Sequence, residues 1–241
     1  MVHSLSNATI VGTGNTVTME NDAQTVSFSG GEDNAVIINS GGDAVRTING
    51  RVLNGRDIVQ ATGGAIVDVT VSTGGVGEVD ADNSTVALND NATATVNNTT
   101  FLRNLAQGGA GGAGANGGEA IGGAIAVGIG NVSGNSDTSS LAMTAGLVTG
   151  NFAKGGRPGS GGKGGNAWGG GAWVGADGSA SFDQSDILLN EALSVLFGNG
   201  EGKGGGLYVD TGAVVTLHKS TVAQNLASTS NNNIWGSVIY V

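Results

Sequence analysis

Cysteine is absent from the 241 residues, which excludes disulfides and thiolate metal sites. Proline occurs once, at Pro158, and histidine twice, at His3 and His218. Cations are scarce: nine Lys and Arg stand against 19 Asp and Glu, and they form no basic track for phosphates. Nucleic acid is therefore not an expected partner, and anionic lipid is not an expected docking surface. No apolar run reaches the length of a membrane-spanning helix, so membrane insertion by this chain is not expected. The first residues, Met1-Val2-His3-Ser4-Leu5, lack the charged-then-apolar pattern of a signal peptide. Either a leader was removed or export uses a route that leaves this end intact.

Glycine is abundant instead, at 47 residues, yet the hydrophobic share is 39%. A disordered chain has too little apolar surface to offset ordering entropy. Here Val, Ile and Leu recur in short runs, which implies a repetitive folded protein with Gly-rich loops. The acidic, Cys-free, Gly/Asn/Thr-rich balance suits a bacterial extracellular or cell-surface protein.

The second half repeats. Thr100-Phe101-Leu102-Arg103-Asn104 returns as Leu147-Val148-Thr149-Gly150-Asn151, as Asp186-Ile187-Leu188-Leu189-Asn190 and as Thr221-Val222-Ala223-Gln224-Asn225. Eight residues before each Asn stands an apolar residue (Val96, Met143, Phe182, Leu217), and three before it another (Phe101, Val148, Ile187, Val222). A second motif follows: Gly122-Gly123-Ala124-Ile125-Ala126-Val127, then Gly169 to Val174, Gly204 to Val209 and Gly236 to Val241, with Asn-to-Gly gaps of 18, 18, 14 and 11 residues. Variable gaps between constant motifs mean variable loops on a constant scaffold.

Three short strand-like runs per repeat, separated by polar corners, predict one coil of a single-stranded right-handed parallel β-helix. Stacking the runs pairs their backbones about 4.8 Å apart. The predicted inward columns are Ile125, Ala172, Leu207, Ile239 and Val127, Val174, Val209, Val241. The Asn column is predicted at a corner, where Asn tolerates a positive φ and its amide bonds the Asn above and below. The first half is more degenerate: Thr9-Ile10, Thr16-Val17, Thr25-Val26, Ala35-Val36 and Ala44-Val45 recur in steps of 7, 9, 10 and 9, with Gly and Asn-Gly turns between. A β-sandwich also spaces short strands this way, but it does not require residue-for-residue repetition. The expectation is one continuous all-β domain over 1–241, with short-loop coils in 1–95 and four loop-bearing repeats in 96–241.

The pairing of Phe101-Leu102-Arg103-Asn104 with Gly122-Gly123-Ala124-Ile125 resembles the FxxN and GGAI repeat of the polymorphic outer membrane proteins. Gly41-Gly42-Asp43-Ala44-Val45 to Gly63-Gly64-Ala65-Ile66 resembles repeats of autotransporter passenger domains and large surface adhesins. That resemblance implies β-helices displayed outside the cell, often adhesive. The membrane barrel that carries autotransporters out is not part of this sequence.

Several side chains invite a functional reading beside a plainer one. Glu78, Asp80 and Asp82 alternate on one short segment, which places three carboxylates on one strand face and could hold Ca²⁺, or simply form a solvated acidic face. Asp183 and Asp186 share a corner, or are simply solvated there, and His218 stands beside a strand, but the dense Asp/His/Arg/Tyr sets of pectate lyases, polygalacturonases and alginate epimerases are missing, so the chain is not expected to be an enzyme. The Gly-rich runs lack a complete GxxxxGK[ST] between strand and helix, which excludes nucleotide binding, and are expected to pack as a Gly-rich layer. Scattered Thr residues form no regular array for ice. Trp173, Tyr208 and Tyr240 occupy one outward position of the aligned Gly motif, forming a strip for a sugar or protein contact unless the loops bury it. Gly236, Ser237, Val238, Ile239, Tyr240 and Val241 read as a core strand with no cap, which marks an open end for head-to-tail pairing with another copy, or a coil cut from a longer adhesin. The function expected is therefore an extracellular structural or adhesive β-helix, self-assembling through its ends or contacting a surface or matrix glycan or protein. The alternative is a polysaccharide-binding or polysaccharide-cleaving β-helix.

Overall fold

The computed structural model describes the strands of the first part of the chain from Val2–His3 to Thr93–Asn97, and then residues 99–128, 137–195 and 198–241. Side chains are described from Val96 onward. The described residues form parallel sheets of nine, nine, five, four and three strands, here A to E. Every strand pairing is parallel. From residue 85 the chain visits the sheets in a fixed order: Thr85–Leu88 in A, Thr93–Asn97 in B, Thr99–Leu102 in C, Leu105–Gln107 in D, Ala120–Ile121 in E, then Ile125–Val127 in A again.

The register shows why short degenerate runs suffice. One column of sheet A reads Val2, Val17, Val36, Val59, Val86, Ile125, Ala172, Leu207, Ile234. One column of sheet B reads Ala8, Val26, Ile48, Val69, Val96, Met143, Phe182, Leu217, Tyr240. The irregular apolar steps of the first half are thus alternate visits to two sheets. β-branched residues fit such stacks because pleated neighbours restrict χ1 little further.

The main core takes its residues from sheets A, B and C, with Ile125, Val148, Phe182, Ile187, Leu207 and Leu217 fully buried. Burying each such side chain contributes roughly 1.5–3 kcal/mol. A second, thinner core lies between sheets D and E and consists of alanine alone: Ala120, Ala153, Ala167, Ala192 and Ala227, with Ala106 against them. Only a methyl group fits where these two small sheets close on each other.

Two ladders hold the corners. Asn104, Asn151, Asn190 and Asn225 are all buried. The Oδ1 of Asn190 accepts from the backbone N–H of Asn151 at 2.9 Å and from its Nδ2 at 2.8 Å, while Nδ2 of Asn190 donates to Asn225 Oδ1 at 3.0 Å and to the carbonyl of Val148 at 2.9 Å. The ladder continues into Asn233, whose Oδ1 receives the backbone N–H of Asn225. The Oδ1 of Asn104 has no partner among the described residues. The positive φ belongs not to the ladder asparagines but to the residue before each one: Arg103, Gly150, Leu189 and Gln224. A second corner has positive φ at Ala145, Gln184 and Lys219, each followed by Gly146, Ser185 or Ser220. There Ser220 Oγ accepts from Ser185 N–H at 2.9 Å and Ser185 Oγ from Gly146 N–H at 3.0 Å.

The expected Gly-rich layer is present. Gly108, Gly111, Gly114, Gly117 and Ala120 donate to the carbonyls of Lys154, Arg157, Ser160, Lys163 and Asn166, all at 2.8–2.9 Å. The loop turns back on itself, with Ala115 N–H bonded to Gly112 and Gly118 N–H to Gly109, and its two arms satisfy their backbones through each other and through the next loop. A Cβ on Gly117, Gly156, Gly159 or Gly165 would run into a carbonyl of the adjacent segment, so glycine is required there. The backbones approach this closely only because no side chains intervene.

Candidate binding face

The last repeat corrects the aromatic strip. Tyr208 is flanked in sheet A by Trp173 on one side and Trp235 on the other. Tyr240 lies in sheet B beside Leu217, at the end of the inward column, and Ile239 there pairs with Thr216. The physical reason is that Asn232 and Asn233, not Gly236, take the corner: their carbonyls receive the N–H groups of Gly206 and Leu207. Asparagine supplies both the corner carbonyls and a ladder amide, so the short last loop turns without its glycines. Ile234 therefore succeeds Leu207, and the inward columns predicted to end on Ile239 and Val241 do not.

The strip gains members from sheet E. Trp168 and Lys203 are neighbours in that sheet. Each lies five residues before Trp173 or Tyr208, with three glycines between. Gly169 and Gly204, with φ of 65° and 61°, turn the chain sharply there. Across this corner the rings of Trp168 and Tyr208 come within 5.3 Å, tilted by 40°. Tyr208 and Trp235 stack at 6.1 Å with planes 10° apart. Outward residues of two sheets thus meet across the corner between sheets E and A and form one aromatic face, a groove only in the sense that two rows of side chains border it. All four rings, Trp168, Trp173, Tyr208 and Trp235, are half-buried, so the described residues of the Gly-rich loops leave the strip partly accessible.

Lys203 sits across this cluster. Its Nζ lies 5.3 Å from the centre of the Trp168 ring and 4.5 Å from that of Trp235, and 2.6 Å from Glu201 Oε2. The ring faces and the carboxylate together hold the ammonium. Burial, reinforced by the carboxylate of Asp210, raises the Tyr208 hydroxyl above its ordinary value of 10.0, while a hydrogen bond from the Trp235 indole opposes this.

The other candidates are placed as follows. Glu78 falls in strand Gly77–Val79, paired with Thr100. Its side chain, and all of Asp80 and Asp82, lie outside the described residues, and so does any calcium site built on the three. Among the described residues, no three His, Asp or Glu side chains converge on a metal position. Asp183 and His218 are register neighbours on sheet B, with Nδ1 to Oδ1 at 2.7 Å, half-exposed, and Asp186 is on the next strand, in sheet C. The hydroxyl of Ser220 is engaged by the carbonyls of Phe182 and His218. Of the segment Gly236 to Val241, Val238 packs against the core, while Ile239, Tyr240 and Val241 are 52%, 69% and 70% exposed.

Residue-by-residue reading missed Trp168, Lys203 and Trp235. The constant five-residue offset across the Gly corner is the signal that finds the first two. Comparison with protein-family models, with curated proteins and with solved structures finds no match to this chain.

Proposed function

We propose that this chain is a right-handed parallel β-helix that acts outside the cell as a structural or adhesive element rather than as an enzyme. The observation that carries the reading is the constancy of the register. The same register positions stack in sheets A and B from the first strands to the last, and from Val96 to Leu217 they are buried. The interior is filled by apolar side chains, alanines and the asparagine ladder, leaving the outer rows free to vary. Such rows, repeated about every 4.8 Å, suit contact with an extended partner more than enclosure of a small substrate. The likeness of the FxxN and GGAI motifs to surface-displayed repeats supports an extracellular setting in a bacterium. Antibodies raised against the folded chain should label intact cells of the producing organism; labelling only after lysis contradicts the reading.

A second reading is favoured by one edge of the stack. Thr221–Ala223, Leu226–Ala227, Ile234–Trp235 and Ile239–Tyr240 each pair on one side only among the described residues. Leu226, Ile239, Tyr240 and Val241 are exposed there. An apolar parallel edge is a template for another copy, and head-to-tail pairing gives a filament. Sedimentation should show concentration-dependent association that Ile239→Lys abolishes; a monomer at every concentration rules this out.

A further inference from the structure

The chain has three tryptophans and two tyrosines, and all three tryptophans and one tyrosine lie on the single face where sheets E and A meet. Pairing in sheet A does not require large rings there: the same register position holds Ala87 and Ala126 in the preceding repeats. Four half-exposed rings on an outer surface mark a contact site.

The chemistry of the groove narrows the ligand. Glu201 lies in it, and the carboxylates of Asp210, Glu119 and Glu201 all act on Tyr208. The chain as a whole carries a net charge of −10, so a polyanion is repelled. The strands of Trp173 and Tyr208 already pair on both sides in sheet A, so a peptide could add as a strand only beyond Trp235, at the end of the stack, and not along this face. What remains is a ligand with flat apolar faces edged by hydroxyls, repeating along the row. We infer that this groove binds a neutral polysaccharide, with pyranose faces against Trp168, Tyr208 and Trp235 and sugar hydroxyls bonded to Glu201 and Lys203. Lys203 covers one face of Trp168 and of Trp235 with its ammonium, so the sugar meets the remaining faces and edges of these rings with the ammonium beside it. The site is on the flank of the stack, so it depends neither on head-to-tail association nor on where the protein resides.

Two of the three tryptophans are in the proposed contact and Trp173 is on the adjacent strand, so tryptophan fluorescence of the intact chain reports this face. Titration with soluble β-glucan, xylan and chitin oligosaccharides, with polygalacturonate as the anionic comparison, should give a saturable shift and protection from acrylamide quenching with at least one neutral glycan. Trp168→Ala and Tyr208→Ala should each weaken that binding about tenfold at unchanged far-ultraviolet circular dichroism. The quenching experiment needs no substitution, so it stands even where a variant misfolds. No shift and no protection with any neutral glycan overturns the inference. So does a response to polygalacturonate alone, or one that both folded variants retain in full.

Discussion

The ladder asparagines inside the stack, Asn151, Asn190 and Asn225, use their whole amides. In Asn190 both lone pairs of Oδ1 and both protons of Nδ2 are engaged inside the protein. Asn190→Ala removes four bonds and leaves buried groups on two repeats unsatisfied, so it should cost about 3 kcal/mol in urea unfolding. Its neighbour Leu189 makes the opposite case. That residue has φ of 57° and is 56% exposed, so its side chain contributes little burial while its backbone is strained. Leu189→Gly should stabilise by about 0.5–1 kcal/mol, read as a higher melting temperature. The same corner explains one misreading. Asn was expected to hold the positive φ itself, but its amide is aimed correctly only when the preceding residue makes the turn.

Tyr208 gives a test at the same scale. Its value is raised on folding, so the unfolded chain loses the proton first. The associated stability is present below the ordinary value of 10.0 and is lost as pH rises through the folded value. In Tyr240→Phe, which leaves Tyr208 as the one tyrosine, tyrosinate absorbance should appear above pH 10.0 in the folded chain and shift down in denaturant. Coincident titrations in both states contradict this.

At the scale of elements, the Gly-rich loops behave as ordered structure. A methyl group on Gly156 meets the carbonyl of Gly109, whereas one on Gly109 meets nothing. Gly156→Ala should therefore open the loops to protease and lower the melting temperature, while Gly109→Ala should leave both nearly unchanged. Equal behaviour of the two variants shows that the layer does not form. Most of this level was legible in the sequence. Phe101, Val148 and Ile187 announce the inward face of sheet C because each stands three residues before a buried Asn. Position 236 misled because glycine was taken as the corner marker, and the corner needs only a carbonyl and a tight turn, which Asn232 and Asn233 supply. Trp235 was missed with it.

For the whole molecule, the alternation of Thr16-Val17 and Thr25-Val26 between two sheets was not legible, since a period of two strands per repeat looks irregular along the chain. The groove was illegible for a different reason. Its residues come from two sheets and three successive repeats, and only the stacking register brings Trp168, Tyr208 and Trp235 together. Placing all three tryptophans and Tyr208 on one flank of the stack suits the proposed contact role. The most direct measurement is attachment: the chain is displayed on a non-adherent bacterium, and adherence to glycan- and matrix-coated surfaces is counted together with cell clumping. The account predicts that cells displaying the natural chain attach or clump well above undisplayed cells. Display at full surface density with neither attachment nor clumping would contradict a structural or adhesive role.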